Sequence, residues 1–136
     1  MALMTWTNEM SVGVRVLDEE HKKIVAMINE LHEAMRAGRG GDVLDRILDR
    51  LAKYTVEHFA REERFFAQTS YPDASRHHKQ HEALRSRVAA IRRESAKGGG
   101  ANLTIDAMNF LTSWLANHIL NSDKQYRDHL NANGVY

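Results

Sequence analysis

Glu57-His58-Phe59-Ala60-Arg61-Glu62-Glu63, with its echo His77-His78-Lys79-Gln80-His81, is the part of the chain around which everything else can be placed. Each segment sets two metal-competent side chains four residues apart, HxxxE in the first and HxxxH in the second. On an α-helix that spacing is about 400° of rotation and about 6 Å of rise, so both side chains leave one face. Two such faces turned toward each other make a nitrogen- and oxygen-lined metal site inside a helix bundle. HxxxH alone is weak evidence, because a chain with eight histidines produces one such pair by chance about half the time. The surroundings of the two motifs therefore have to decide.

Working outward, both motifs fall on hydrophobic stripes of helical period. Upstream of His58, Leu44, Ile47, Leu48, Leu51, Tyr54 and Thr55 share one side, and the same stripe runs on through His58 and Glu62 to Phe65. Asp42 opens this helix, and Thr69-Ser70-Tyr71-Pro72-Asp73 breaks it, since the residue before a proline avoids the helical region. A further helix from about Asp73 aligns His77 and His81 with Leu84, Val88 and Ile91. Its other side carries Arg85, Arg87, Arg92 and Arg93, a solvated face. Nearer the start, Leu17, Ile24, Ile28, Leu31 and Met35 form a seam that includes His21, with Asp18 as a cap and Gly38, Gly40 and Gly41 as the stop. After the flexible Lys97-Gly98-Gly99-Gly100, a fourth helix capped by Asn102 or Thr104 places Met108, Leu111, Leu115 and His118 inward. The expected helices are 18–37, 42–67, 73–96 and 103–121, with a short helical segment at 123–131. Val12, Val14 and Val16 alternate, but no second strand-like run pairs with them, so residues 1–17 read as an extended arm. The expected fold class is all-α, an antiparallel up-down-up-down four-helix bundle in one domain spanning 1–136.

Bulk properties bound the function. A chain of 136 residues with 43% apolar and 27% charged residues buries a core of its own. Its net charge of +1 favours neither nucleic acid nor anionic lipid. The absence of cysteine removes disulfides, thiolate metal sites and iron–sulfur clusters. The opening Met1-Ala2-Leu3-Met4-Thr5-Trp6 has no basic region followed by an apolar run, and no stretch suits a membrane span. A cytoplasmic monomer is the expected state.

Any single histidine on a seam is most simply a hydrogen-bonded core residue. Six ionisable residues on four inferred seams — His21, His58, Glu62, His77, His81 and His118 — are another matter, because buried polar clusters are costly unless satisfied. Asp123 lies five residues after His118, about 140° round an ideal helix, so the two share a face only through a π-bulge or reach one centre from different sides. His32, His78 and His129 lie off the seams or in the tail and read as surface or supporting residues. Five imidazoles and two carboxylates exceed what one tetrahedral zinc requires. Two metals with bridging carboxylates use them all; iron or manganese suits these donors, and zinc and copper remain compatible with them.

The chain resembles the hemerythrins, especially single-domain bacterial ones. The resemblance is carried by Trp6 and Ser11-Val12-Gly13, by Leu17-Asp18-Glu19-Glu20-His21-Lys22, and by His58-Phe59-x-x-Glu62-Glu63. Tyr71-Pro72, His77-x-x-x-His81 and Trp114-Leu115-x-x-His118-Ile119-x-x-x-Asp123 complete it. It implies a non-haem pair of iron ions (Fe2+/Fe3+) with an oxo or hydroxo bridge, binding O2 as ligand without catalysis. His77, His81 and His118 would complete one iron, His21 and His58 would hold the second with an open position for O2, and Glu62 and Asp123 would bridge. Ile24, Phe59, Trp114, Leu115 and Ile119, one position or one turn from ligands, are candidates for a dry pocket wall and equally for ordinary core packing. Two residues depart from the pattern, Phe66 where many relatives have methionine and Ser122 before the aspartate. The implied role is an O2 carrier, store or deliverer, with an oxidase or other O2-using protein as candidate partner. Alternatives are an O2 or redox sensor acting through a partner, a di-iron enzyme consuming peroxide or nitric oxide, and iron storage.

Overall fold

Four long helices and a short fifth make up the fold, described by a computed structural model for residues 4–98 and 100–136, the side chains at 42, 100 and 101 excepted. The helices are α1 (Arg15–Arg36), α2 (Gly40–Thr69), α3 (Ala74–Ala96), α4 (Gly100–Asn117) and α5 (Arg127–Ala132). Short connections fold each long helix back on its predecessor, giving an antiparallel bundle in which α1 packs on α2 and α4, and α3 packs on α2 and α4.

The helix ends differ from the sequence expectation for identifiable reasons. α1 begins three residues before Asp18, which is no cap: its Oδ1 accepts the Val12 amide at 2.8 Å and its Oδ2 the Ser11 hydroxyl at 2.6 Å, tying the arm to the first turn. α2 starts at Gly40 and runs to Thr69, where Ser70 takes the left-handed conformation (φ 55°) that ends a helix without a glycine. The Asp42 side chain and Gly99 lie outside the described residues. Asn102 and Thr104 are inside α4 rather than at its cap, with Thr104 buried. The arm contains one short 3-10 turn, Asn8–Met10, and is fastened by Met4, whose amide and carbonyl both bond the Asn29 side chain at 2.8 Å.

The apolar stripes fill two clusters. The larger, around Ile28, Leu31, Leu44, Leu48, Leu51, Leu84, Val88 and Leu111, occupies one end of the bundle. The smaller joins Val12, Val14 and Leu17 to Phe66, Tyr71, Tyr126 and Leu130. On α2 it is Phe66, not the expected Phe65, that is fully buried, because the inward stripe steps by four from Glu62. Met35 and Tyr54 are half-buried. His58 and Glu62 sit on α2 between Leu51 of the first cluster and Phe66 of the second, so the polar site is walled by hydrocarbon at both ends. No described helix is long and apolar enough to cross a membrane.

Candidate metal centre

All seven sequence-predicted residues converge. α1 carries His21, α2 carries His58 and Glu62, and α3 carries His77 and His81. His118 and Asp123 bound a π-helical turn, His118–Asp123, that continues α4. One extra residue per turn brings side chains five apart onto the same face, so the spacing that an ideal α-helix would misdirect is corrected here. Among these seven, none is more than 6% exposed, and Glu62, His81 and Asp123 are fully buried.

The carboxylates stand between the rings. Asp123 Oδ1 is 2.8 Å from His77 Nε2 and 2.9 Å from His118 Nε2, while its Oδ2 is 3.1 Å from His21 Nε2. Glu62 Oε1 is 3.1 Å from His81 Nε2, 3.7 Å from His58 Nε2 and 3.8 Å from His77 Nε2. Its Oε2 lies 3.9 Å from His21 Nε2. Despite this closeness, Nε2 of His21, His77, His81 and His118, Glu62 Oε1 and both Asp123 oxygens make no hydrogen bond. A buried polar atom without a partner costs about 1–3 kcal/mol, more when charged, so seven in one place call either for protons held between ring and carboxylate or for cations. Cations would satisfy them all. The donor atoms fall into two sets, Glu62, His77, His81, His118 and Asp123 in one and His21, His58 and Glu62 in the other, each within 4.8 Å. Glu62 belongs to both, which is the property a bridging carboxylate needs.

Three residues the sequence reading did not assign hold this set in place. Glu20 Oε1 lies 3.0 Å from His58 Nδ1, and its Oε2 accepts from Arg61 Nε at 3.1 Å. Burial pushes the Glu20 carboxyl up, but His58 and Arg61 outweigh it and hold the group below its ordinary range. An ionised carboxylate only accepts, so Nδ1 of His58 carries the proton and Nε2 presents its lone pair to the centre. Glu63 does the same for His81, at 3.0 Å from Nδ1, while its other oxygen takes the exposed His78 at 2.7 Å. Burial again raises Glu63, and its two histidines again win. Tyr126 donates its hydroxyl to Glu62 Oε2 at 2.7 Å. Burial and then the two carboxylates push that phenol well above its usual range, so it stays a donor. Glu20 and Glu63 are the immediate neighbours of His21 and Glu62, a proximity the sequence displayed, whereas nothing local linked Tyr126 to a residue 64 positions away. Such outer partners are worth about 10–100-fold in metal affinity. Glu20→Ala is therefore expected to lower affinity at the His21/His58 side by about that factor, as measured by competition with a chelator.

The remaining histidines are peripheral. His129 donates to the Thr69 carbonyl at 2.7 Å, and His32 is half-buried on α1 away from the site.

A cavity of about 10 Å³, roughly the space of one small molecule, lies against His21, His58 and His118. Ile24, Phe59, Trp114 and Leu115 line it, as do Ile28, Leu51 and Leu111, which the sequence reading did not single out. Ile119 does not line it; it is fully buried in the main core. Phe59 stacks flat on His81 (3.7 Å between centroids) and Trp114 on His118 (4.3 Å), so both rings pack against donors as well as the cavity. Phe66 and Ser122 lie elsewhere: Phe66 meets His77 edge-on at 5.0 Å, and Ser122 borders a polar recess of about 110 Å³ with His77 and Gln80.

A family model described as the hemerythrin HHE cation binding domain matches residues 12–130, a span that includes every one of these donors. The chain belongs to the hemerythrin family. Among hemerythrin relatives it is 34% identical to the bacteriohemerythrin of Stenotrophomonas maltophilia (strain R551-3), covering 97% of this chain and 84% of that protein. It is 36% identical to the bacteriohemerythrin of Methylococcus capsulatus (strain Bath), over 97% of this chain and the whole of the other. A crystal structure of wild-type hemerythrin superposes with a TM-score of 0.84 at 35% identity, covering 95% of this chain and 98% of that one.

Proposed function

We propose that this hemerythrin binds O2 reversibly at a di-iron centre, as a carrier, a store or a deliverer of O2 to an oxidase. His77, His81 and His118 would hold one iron, His21 and His58 the other, and Glu62 and Asp123 would bridge them. The observation that carries the proposal is the division of orphaned donor atoms into two sets sharing Glu62, with a small apolar cavity lined by both histidines of the smaller set and by His118 and Asp123 of the larger. A bound iron pair supplies the two electrons that convert weak O2 association into strong, reversible binding.

The protein's own residues do the rest. Three histidines with carboxylates leave the larger set little room for a further ligand, whereas two histidines leave the smaller set open toward the cavity. Ile24, Leu115 and the rings of Phe59 and Trp114 keep bulk water from that opening, which suppresses proton leakage and loss of electrons. Tyr126 and Glu20 fix the orientation of Glu62 and His58 before anything binds, so the geometry needs no rearrangement on loading. Five imidazoles against two carboxylates also make a less anionic donor set than carboxylate-rich di-iron sites built from four carboxylates and two histidines, and this supports binding over oxygen activation.

Two irons per chain are expected by elemental analysis. The reduced protein should gain a visible charge-transfer band in air and lose it under argon through repeated cycles. Zinc in place of iron, or irreversible bleaching in the first cycle, would overturn the proposal.

A further inference from the structure

Two cavities meet across the contact of α2 and α3. The inner one is the small cavity beside His21 and His58. The outer one is a surface groove of about 120 Å³ between Ala52 and Val56 on α2 and Val88 and Ala89 on α3. Thr55 and Leu84 belong to the walls of both. The partition between outside and metal cavity is therefore one layer of side chains here. The polar recess at His77 shares no wall residue with the inner cavity.

The partition is chemically uneven. Both members are buried, at 4% and 3% exposure, so at rest the passage is shut. Thr55 is branched at Cβ, and its hydroxyl is held by the Ala52 carbonyl at 3.2 Å. Its rotamer is fixed, and its hydrogen is not free for a passing molecule. Leu84 has no such tether, and core leucines hop between rotamers although the time-averaged core is tightly packed. Arg85, the next residue, stands at the rim with its guanidinium held by Glu82 at 2.8 Å and 5.9 Å from the Phe59 ring. A charge is thus parked at the mouth while the way in is hydrocarbon.

We infer that a small apolar molecule, O2 in the proposed function, enters the metal cavity from the α2–α3 groove by displacing the Leu84 side chain past a fixed Thr55. The identity of the traveller rests on the O2-binding proposal; the route rests on the two cavities and their common wall.

A gate has a kinetic signature. Entry and exit cross the same barrier, so altering it moves association and dissociation in the same direction, whereas a change confined to the cavity alters dissociation alone. Stopped-flow mixing of reduced, iron-loaded Leu84→Ala with O2 should show both rates about tenfold faster, and Thr55→Leu should show both about tenfold slower. Rates unchanged in both variants, or a change in dissociation alone, would overturn the route. Should Leu84→Ala lose its helical signal, Thr55→Leu decides. Independently of iron chemistry, crystals of the metal-loaded protein pressurised with krypton should show krypton in the groove against Val56 and Val88 and in the inner cavity. Krypton in neither place would sink the proposal. If the reduced protein takes up no O2 at all, the function fails, while the krypton result still decides the route.

Discussion

Glu62→Ala is expected to leave a chain with an undiminished helical signal but with iron affinity lower by about a hundredfold or more. Outer partners of metal ligands are worth about 10–100-fold, so loss of a ligand common to both donor sets lies at or beyond the top of that range. The helix itself is not at risk. α2 spans 30 residues and is anchored on the same face by Leu44, Leu48, Leu51, Phe59 and Phe66, and alanine is the better helix former. What is lost is shared negative charge between two cations, together with the acceptor of the Tyr126 hydroxyl. Glu62→Gln separates these contributions: it keeps an oxygen for Tyr126 and removes the charge, and should also bind iron poorly. Iron per chain and far-ultraviolet dichroism measured on the same preparations check both. Full iron occupancy in Glu62→Ala would mean that another residue bridges.

The seams on which His21, His58, His77, His81 and His118 lie were legible because a buried helix face repeats every three to four residues, and an ionisable group on such a face stands out. Asp123 was legible as a residue type but not as a position. Its phase depends on one π-helical turn, and the sequence offered that only as one of two ways to reach the centre. Helix starts were read least well. Asp18 has the chemistry of a cap, yet it bonds backward to Ser11 and Val12 from within the helix, and local propensity cannot tell these uses apart. Phe65 and Phe66 are adjacent and equally apolar, so their order was settled by which one faces Tyr71, His77 and Tyr126 in the fold. Glu20 and Glu63 stand beside His21 and Glu62 in the sequence, but the histidines they orient lie on other helices, and Tyr126 has no local link to Glu62 at all, so these pairings leave no spacing to read.

The site has two unlike sides. Toward α1 and α4 the surroundings are aliphatic and aromatic, with Ile24, Ile28, Leu111 and Leu115 around a cavity too small for more than a few atoms. Toward the start of α3 they are polar, where His77 borders the same recess as Gln80, Ser122 and Gln125. Both departures from the family pattern, Phe66 and Ser122, fall on the His77 side. They are therefore placed to affect the hydration of the three-histidine set, and not the cavity beside His21 and His58.

Metal uptake by the metal-free chain should weaken by at least about tenfold for each pH unit below about pH 9, because a ligand must shed its proton before it binds metal. Burial lowers the proton affinity of His77, but the Asp123 carboxylate at 2.8 Å, followed by Glu62, outweighs it and pushes the ring up to about 9 from its ordinary 6.5. His21 moves in the same direction, again against burial and again chiefly through Asp123. At neutral pH a metal ion thus displaces at least the His77 proton. The same shift fixes the sign of a stability effect. A histidine whose folded pKa is raised stabilises the metal-free fold fully below its unfolded value of 6.5, and that contribution is lost as pH climbs through about 9. Glu62 and Asp123 are held below their ordinary values despite burial, Glu62 chiefly by His58 and Asp123 chiefly by His118. Their contribution is present above the usual carboxylate range and fades in acid. The metal-free protein should accordingly be most stable on the acid side of neutrality and lose stability toward pH 9, while the iron-loaded protein gains over the same interval as protons cease to compete. Calorimetric titration with ferrous iron in two buffers of different ionisation enthalpy would register the released protons, and urea midpoints at pH 6, 7.5 and 9 would register the divergence. A metal-free midpoint that rises from pH 6 to 9, or iron binding without proton release at pH 7, would contradict the electrostatic account of the site.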